Sequence, residues 1–533
     1  MIEDESKTNA EQPEPAGGEK PLRVRRSVRE LQKMYDAGDK EPLEDLIRAW
    51  RGIQALEPDD YHSFFVIAGY HGEPFRDQER AASPEYWGGY CNHGNVLFPT
   101  WHRLYVLRLE QALQTIVPDV MMPYWDETSE ETREHGIPSV LTDEKFVLDG
   151  EEIDNPLQSY VLPKQIDDDD EDEEHYTKPK GYRTVRYPLS GLVGTPDDLE
   201  QTQRHNEKYP DHQTNVAHLN RNITTWLEQG RVDPGQEPTP PSVYSDFRHC
   251  LDAPNYTVFS NTTSAGAWSD QSAHHVTSLE QPHNSIHLAI GGFDVPSEEP
   301  EFGILAGANG DMGENNTASF DPIFFFHHCF IDRLFWMWQV KHGYTDHLDI
   351  IDGGPGTRAS TSVQGPAAGQ DPDEPLSMQT PLKPFLRDRT DPRSYLTSED
   401  CINIEKQLGF TYSEGSLSSI ANAGLTSVAG ASARPRLRVS GLNRAGVRGS
   451  FVISAQAKID EHWINLGHRA VLSRWNVANC ANCQTHLNVT AFFPLDAVPE
   501  HLRNQDIFEA YVRYRNGGKV RIAKKQLEVI GLE

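Results

Sequence analysis

Two groups of three histidines constrain this chain more than any other feature in it. His71, His93 and His102 fall in Gly69-Tyr70-His71-Gly72, in Tyr90-Cys91-Asn92-His93-Gly94 and in Pro99-Thr100-Trp101-His102-Arg103. His283 and His287 stand one helical turn apart, and His328 closes the run Asp321-Pro322-Ile323-Phe324-Phe325-Phe326-His327-His328. Residues three or four apart share one face of a helix. On a helix over 279–289, Glu280, His283, Asn284 and His287 therefore point the same way, and the two histidines can chelate one ion. On a helix over about 325–340, His328, Asp332 and Phe335 share a side, while His327 points about 100° away. His328 is the expected sixth ligand, and His327 and Asp332 are expected to stand behind it. Any one of these histidines reads equally well as a satisfied core residue; the whole set at these spacings does not. Imidazoles with no carboxylate or thiolate among them suit a borderline, redox-active metal better than a hard cation. Two such sites in one domain point to two metal ions acting as a pair.

The helices that carry these residues are legible. Leu43, Ile47, Trp50 and Ile53 recur at helical spacing over 43–56. A second helix begins near Thr100 and sets His102, Val106, Leu109, Leu113 and Ile116 along one side. With the segments at 279–289 and 325–340, this predicts a mainly α domain whose four-helix bundle holds the metal pair in its core. Residues 128–210 and 228–275, rich in Pro, Asp, Asn and Thr, are expected to be irregular, and 352–375 to be a surface loop. Beyond a Ser/Ala/Gly stretch at about 413–433 the texture changes. Residues 437–440, 449–454, 487–493 and 510–514 are short, β-branched or aromatic, and separated by Gly, Asn and Pro, which predicts a small β-sandwich or barrel. The chain's 533 residues exceed one ordinary core. The expected order is a disordered tail over 1–20, a helical domain over 21–412, a linker over 413–433 and a β-rich domain over 434–533.

Charge narrows the partners. The net charge of −31 comes from 49 basic and 80 acidic residues, which argues against nucleic acid and against anionic membranes. Part of the excess lies in the acidic run from Asp167 to Glu174, the pattern of a solvated loop. The residues after Met1 contain no apolar signal core, and no segment is long and apolar enough to span a bilayer. The expected location is cytoplasmic. Six cysteines (91, 250, 329, 401, 480, 483) in a chain of this length do not make a disulfide framework.

These motifs also carry a resemblance. Residues 68–75, 89–103, 123–126, 278–292 and 310–335 resemble the type-3 copper family, which holds tyrosinases, catechol oxidases and haemocyanins. The run from Val471 to Trp475, with Cys480 to Leu487, is similar to the tail of intracellular fungal pro-tyrosinases. The likeness covers nearly all the chain beyond residue 20. Carried over position by position, it implies copper A on His71, His93 and His102, and copper B on His283, His287 and His328. It implies a thioether between Cys91 and His93, and Phe324 stacked near a copper B imidazole. Arg25 and Tyr412 match a motif that ties the two ends of the catalytic domain together, with Phe410 standing where the family has the motif's first tyrosine. His62 lies outside the motifs and is not expected to bind. The resemblance further implies that the C-terminal domain covers the active site and places a side chain, Val471 or Leu472, in the substrate pocket. Cys480 and Cys483 lack enough neighbouring ligands for zinc; soft thiolates suit transient handling of Cu(I), and the likeness supports that role.

A phenol must lose a proton with a pKa near ~10 before it can bind a metal. Glu280 and Asn284 share a helix face and are placed to polarise a water that takes it. Helix N-terminal charge complementarity is the plainer reading of Glu280. The expected activity is O2-dependent ortho-hydroxylation of monophenols and oxidation of o-diphenols to o-quinones, with small phenols as partners. A catechol oxidase or o-aminophenol oxidase is the alternative within this class, and a haemocyanin-like O2 carrier the alternative outside it. Relatives are often dimers or tetramers.

Overall fold

The computed structural model describes residues 22–72, 89–168, 176–228, 242–272, 274–292, 310–359, 374–422, 435–447, 449–474, 487–503, 506–514 and 518–531. The tail over 1–20, most of the acidic run, the centre of the 352–375 loop, residues 423–434 of the linker, Cys480 and Cys483 lie outside them.

A strand β1 (Arg23–Arg25) precedes helix α1 (Glu41–Gln54), which opens on Pro42 and buries Leu43, Ile47, Trp50 and Ile53. Helix α2 (Phe64–Gly72) is buried along its whole length. Its residues are apolar all round, so it has no solvent face to present. Helix α3 (Phe98–Ile116) carries Pro99 in its first turn, where a missing N–H costs nothing. Val106, Leu109 and Leu113 are buried as expected, but Ile116, at the fraying end, is 37% exposed.

The stretch 228–275 departs from the expected irregularity. It holds α4 (Val243–Cys250), a short helix at Tyr256–Ser260 and α5 (Thr262–Gln271). The Ser and Asn residues that suggest loops are N-caps. Ser242 accepts from the Ser245 N–H, Asn255 from Val258 and Asn261 from Ser264. Ser129 and Thr195 likewise cap helices at Glu130–His135 and Pro196–Asn206, inside the other expected irregular region.

Helix α6 (Glu280–Gly291) and helix α7 (Ile323–His342) complete the histidine-bearing bundle with α2 and α3; α2 takes the place expected for α1, which carries no histidine and packs against α3. Helix α7 is buried from Ile323 to Gln339 and stops at Gly343, whose φ of 73° suits the left-handed cap. Strand β1 pairs in parallel with β2 (Phe410–Tyr412), closing the domain on itself. Arg25 lies at this seam. Its Nε donates to Glu110 at 2.8 Å, its Nη1 to Tyr412 Oη at 2.9 Å, and its guanidinium sits 3.7 Å from the Phe410 ring centroid. The aromatic that departs from the family motif thus still holds the arginine, by cation–π contact.

Asp332 belongs to the same buried knot, which corrects its expected place behind His328. Its oxygens accept from Arg103 Nε at 2.5 Å, Arg25 Nη1 at 3.3 Å and Tyr412 Oη at 2.5 Å. The carboxylate ties α3, α7 and β1 together rather than orienting a histidine. Removing one side of a buried ion pair strands the other charge, at about 3–5 kcal/mol. Asp332→Asn is expected to destabilise the helical domain by about that much, read as a drop in its denaturant midpoint; an unchanged midpoint would refute this role.

The C-terminal strands form two antiparallel sheets. They are β3 (Arg436–Asn443), β4 (Phe451–Ile459), β5 (His462–Val471), β6 (Asn488–Pro494), β7 (Phe508–Tyr514), β8 (Lys519–Arg521) and β9 (Leu527–Ile530). One sheet has the order β5-β4-β7-β8 and the other β6-β3-β9, enclosing Leu437, Val439, Ile453 and Phe493. Val452, Ala470 and Leu472 instead join the core of the helical domain. Strand β4 is therefore covered on both faces, which is why Phe451, Val452 and Ile453 are all apolar. Residues 413–418 are anchored to the helical domain, with Ser416 N–H on Asp126 at 2.8 Å and Arg333 Nη2 on Ser418 Oγ at 2.8 Å. No helix among the described residues is long and apolar enough to cross a membrane.

Candidate metal centre

Helix α6 sets the His283 and His287 rings 4.5 Å apart. Helix α7 brings His328 Nε2 to 3.3 Å from His283 Nε2 and 3.2 Å from His287 Nε2. Helix α2, the segment before α3, and α3 itself bring together His71, His93 and His102, with ring centroids 5.2, 5.5 and 5.1 Å apart. The two groups face each other: the His102 and His328 rings stack at 4.6 Å, and His93 lies 5.7 Å from His283.

The reverse side of each ring decides what its inner nitrogen can do. Nδ1 of His71 donates to the Asn315 carbonyl at 3.3 Å, that of His102 to Phe98 at 2.8 Å and that of His287 to Met312 at 2.9 Å. Nδ1 of His283 donates to Asn284 Oδ1 at 2.9 Å. A neutral imidazole that donates from Nδ1 keeps a bare lone pair on Nε2, the arrangement that orients a metal ligand. Nε2 of His71 and of His102 is buried without a hydrogen-bond partner. Burial lowers the pKa of His102 to about 3 and of His287 to about 4, and holds His71, His283 and His328 well below the ordinary value. All are neutral donors at physiological pH. Converging lone pairs at 3.2 and 3.3 Å repel unless a cation lies among them. Nitrogens that share one metal at about 2.0 Å stand about 3.3 Å apart, so the donor set fits.

Two glycines make these orienting contacts possible. A Cβ on Gly72 would meet the Asn315 carbonyl oxygen at 2.1 Å, and one on Gly291 would meet the Gly313 nitrogen at 1.7 Å. The first lets Asn315 reach His71. The second lets the turn at Asp311–Gly313 bring Met312 under His287.

His327 sits closer to the centre than a helical wheel suggests. Its Nδ1 pairs with the buried Glu127 carboxylate at 2.6 Å, and its ring stacks on His283 at 5.1 Å. Donor atoms of His283, His287, His327 and His328 all lie within 4.8 Å of one another. Phe324 stacks on His328 at 4.0 Å. Cys91 Sγ lies within 4.8 Å of ring nitrogens of His71 and His93, and it accepts from Asn315 Nδ2 at 3.7 Å. His62 is outside the cluster, beside Tyr61 and 3.5 Å from Arg108 Nη2.

Glu280, in the first turn of α6, is buried. Its Oε1 accepts from the Gly94 N–H at 2.8 Å, and its Oε2 from the Thr262 N–H at 2.8 Å and Thr262 Oγ1 at 2.9 Å. Burial raises its pKa against the opposing pull of these bonds. A carboxylate offers about four acceptor positions, so one is left over. Asn284 spends its Oδ1 on His283 and keeps its amide N–H groups for the cavity it lines.

The common central domain of tyrosinase matches residues 61–341. A tyrosinase of Hahella sp., HcTyr2, is 53% identical over 524 residues, 94% of each chain. A tyrosinase of Aspergillus oryzae is 42% identical over 544 residues, 93% of this chain and 94% of its own. The chain belongs to the tyrosinase family. The solved tyrosinase of Burkholderia thailandensis at low pH agrees, with a TM-score of 0.81 and 54% identity over 93% of this chain and 96% of that one. The protein is thus a tyrosinase-type oxidoreductase that works with two copper ions and O2, and the facing histidine groups are the place for the metal pair.

In this tyrosinase the sheet domain stands against the centre. A cavity of ≈ 540 Å³ is lined by Thr262, Gln281 and Asn284 from the helices and by Arg444, Val471 and Phe492 from the sheets. Of the two expected pocket residues, Val471 faces this cavity and Leu472 packs into the helical core. Arg474, which the sequence reading did not single out, reaches further and donates from Nη1 to the Gly72 carbonyl at 2.5 Å, one residue from His71. Glu127 was also missed. Its only signal is adjacency to Pro123-Tyr124-Trp125-Asp126. Thr262 gave none, because it sits in a stretch that reads as a loop.

Proposed function

We propose that this protein ortho-hydroxylates monophenols and oxidises the resulting o-diphenols to o-quinones, with copper A on His71, His93 and His102 and copper B on His283, His287 and His328. The observation that carries the monophenol step is the Glu280 carboxylate with one acceptor position left, on the same helix face as Asn284. The copper pair supplies the exchange of electrons between O2 and the phenol. The chain's residues do the rest. Five buried, neutral imidazoles, with the half-buried His93 beside them, keep the donors of the centre fixed. A water that accepts from the Asn284 amide and donates to Glu280 keeps a lone pair for the phenol's proton. Glu280 then receives a proton through that water, and its raised pKa brings it nearer to the phenol's than an exposed carboxylate would be.

The sheet domain walls one side of the cavity beside Asn284, so we infer that the full-length protein is held in a low-activity form until that domain is displaced or cut. Tyrosine and catechol turnover, compared before and after limited proteolysis, tests both points. Sustained tyrosine oxidation that rises after cleavage is the expected result. Turnover of catechol alone would make the protein a catechol oxidase, and reversible O2 binding without phenol consumption would make it a carrier.

A further inference from the structure

Helix α5 has both ends held by groups from other elements. At its start, Thr262 is the first helical residue, and its N–H is one of those left without a partner inside the helix. Thr262 gives that N–H and its hydroxyl to Glu280 Oε2, at 2.8 and 2.9 Å. The helix N-terminus also favours a carboxylate there. At the far end, carbonyls of the last turn lack intrahelical donors for the same reason. Arg436 on β3 supplies them, from Nη2 to the carbonyls of Ser269 at 2.5 Å and Ser272 at 2.6 Å. Arg438 on the same strand pairs with Asp270, Nη2 to Oδ2 at 2.8 Å. The sheet domain therefore grips one end of a helix, about 15 Å long, whose other end holds Glu280.

The surroundings leave this helix room to respond. Thr262, Thr263, Ala265, Gly266 and Ser269 line the ≈ 540 Å³ cavity, so α5 is not packed solidly along that side. A Cβ at Gly266 would meet nothing within 4 Å. A hydrogen-bonded helix moves as a body, so a change at Arg436 and Arg438 reaches Thr262.

We propose that Thr262 is a positioning residue for the Glu280 carboxylate and that α5 carries the sheet domain's grip to it. This rests on the reading of Glu280 as the proton acceptor. With α5 held, Thr262 fixes Oε2 and leaves Oε1 facing the water shared with Asn284. With the grip loosened, the carboxylate turns and the ratio of tyrosine to catechol turnover falls, so displacement of the sheet domain, which opens the cavity, raises both turnovers but that of catechol the more.

The test is the ratio of tyrosine to catechol turnover in the full-length, copper-loaded protein, with copper content checked for each variant. Thr262→Val keeps the N–H and loses the hydroxyl. It is expected to lower the ratio about tenfold, as for loss of one hydrogen bond to a charged group, through kcat for tyrosine rather than KM, and Thr262→Ser is expected to restore it. The pair Arg436→Gln and Arg438→Gln is expected to lower the ratio in the Thr262 background and to lower it no further in the Thr262→Val background. Additive effects, or an unchanged ratio in the arginine variant, overturn the link through α5. A Thr262→Val ratio equal to wild type, with Glu280→Gln still collapsing the ratio, overturns the positioning role alone. A Glu280→Gln variant with an unchanged ratio removes the reading on which the inference stands.

Discussion

Replacing His328 with asparagine is expected to leave one copper per chain and to lower catechol turnover by more than the ~100-fold that loss of an outer partner costs. His327→Asn should keep both coppers and lose only about 10–100-fold. The two residues are neighbours on α7, and both rings face the centre, so the distinction needs argument. His328 Nε2 is the nitrogen that meets both His283 and His287, at 3.3 and 3.2 Å, and Phe324 holds its ring flat at 4.0 Å. His327 is tied from behind by Glu127 at 2.6 Å and stacks face to face on His283, which sets its ring beside the ligands. Its role in this geometry is to brace the His283 ring and to carry the buried carboxylate's hydrogen bond into the bundle. Copper analysis per chain, set beside turnover, separates the two. Loss of a copper in the His327 variant with retention in the His328 variant would exchange their assignments.

What could be read in the chain beforehand was whatever repeats at short range. His283 and His287 announce themselves because one helical turn is a local spacing, and α1, α3 and α7 because their apolar residues recur. The contacts that finish the site are not local. Glu127 meets His327 across 200 positions, and apart from its place next to Pro123-Tyr124-Trp125-Asp126 nothing marks it as a carboxylate bound for the core. Asp332 was misplaced for a related reason: a spacing of four residues says that two side chains share a face, not that they share a partner, and two arginines and a tyrosine outbid His328 for its oxygens. The same applies to Gly72 and Gly291. Each stands near a histidine in a motif, but the reason for a glycine there is a backbone strand arriving from residues 311–316, visible only once the chain has folded. The short helices at 243–271 failed as expectations because Ser, Asn and Thr serve turns and helix caps by one mechanism, a side-chain oxygen taking a backbone N–H. In the sheet domain, β5 was overlooked since His462, Trp463, Asn465 and Arg469 dilute its strand texture, although its inner half is buried. The reach of Arg474 to Gly72 and the hold of Arg436 on α5 cross between domains, where sequence periodicity carries no information.

Glu280→Gln is expected to lower tyrosine hydroxylation by about 10²–10⁴-fold, the range for loss of a general base, and to lower catechol oxidation far less, since that reaction inserts no oxygen into the ring. The change keeps the shape of the side chain but not its acceptors. The Gly94 N–H and the two Thr262 donors all point at this group, and an amide must turn its own N–H₂ toward one set of them. The pH dependence distinguishes a proton-accepting role from this rearrangement. Burial is the leading influence on Glu280 and raises its pKa above the ordinary carboxylate value, while the bonds from Thr262 and Gly94 and the nearby Arg444 pull it back only in part. The ionised form is the one that accepts a proton. Tyrosine turnover in the wild type should therefore fall as pH drops through a value above the ordinary carboxylate pKa, while catechol turnover in the same sample holds to lower pH. In Glu280→Gln that acid limb should vanish from what tyrosine activity is left. Tyrosine and catechol profiles that fall together, in wild type and variant alike, would mean that Glu280 holds the His93 segment in place and moves no proton.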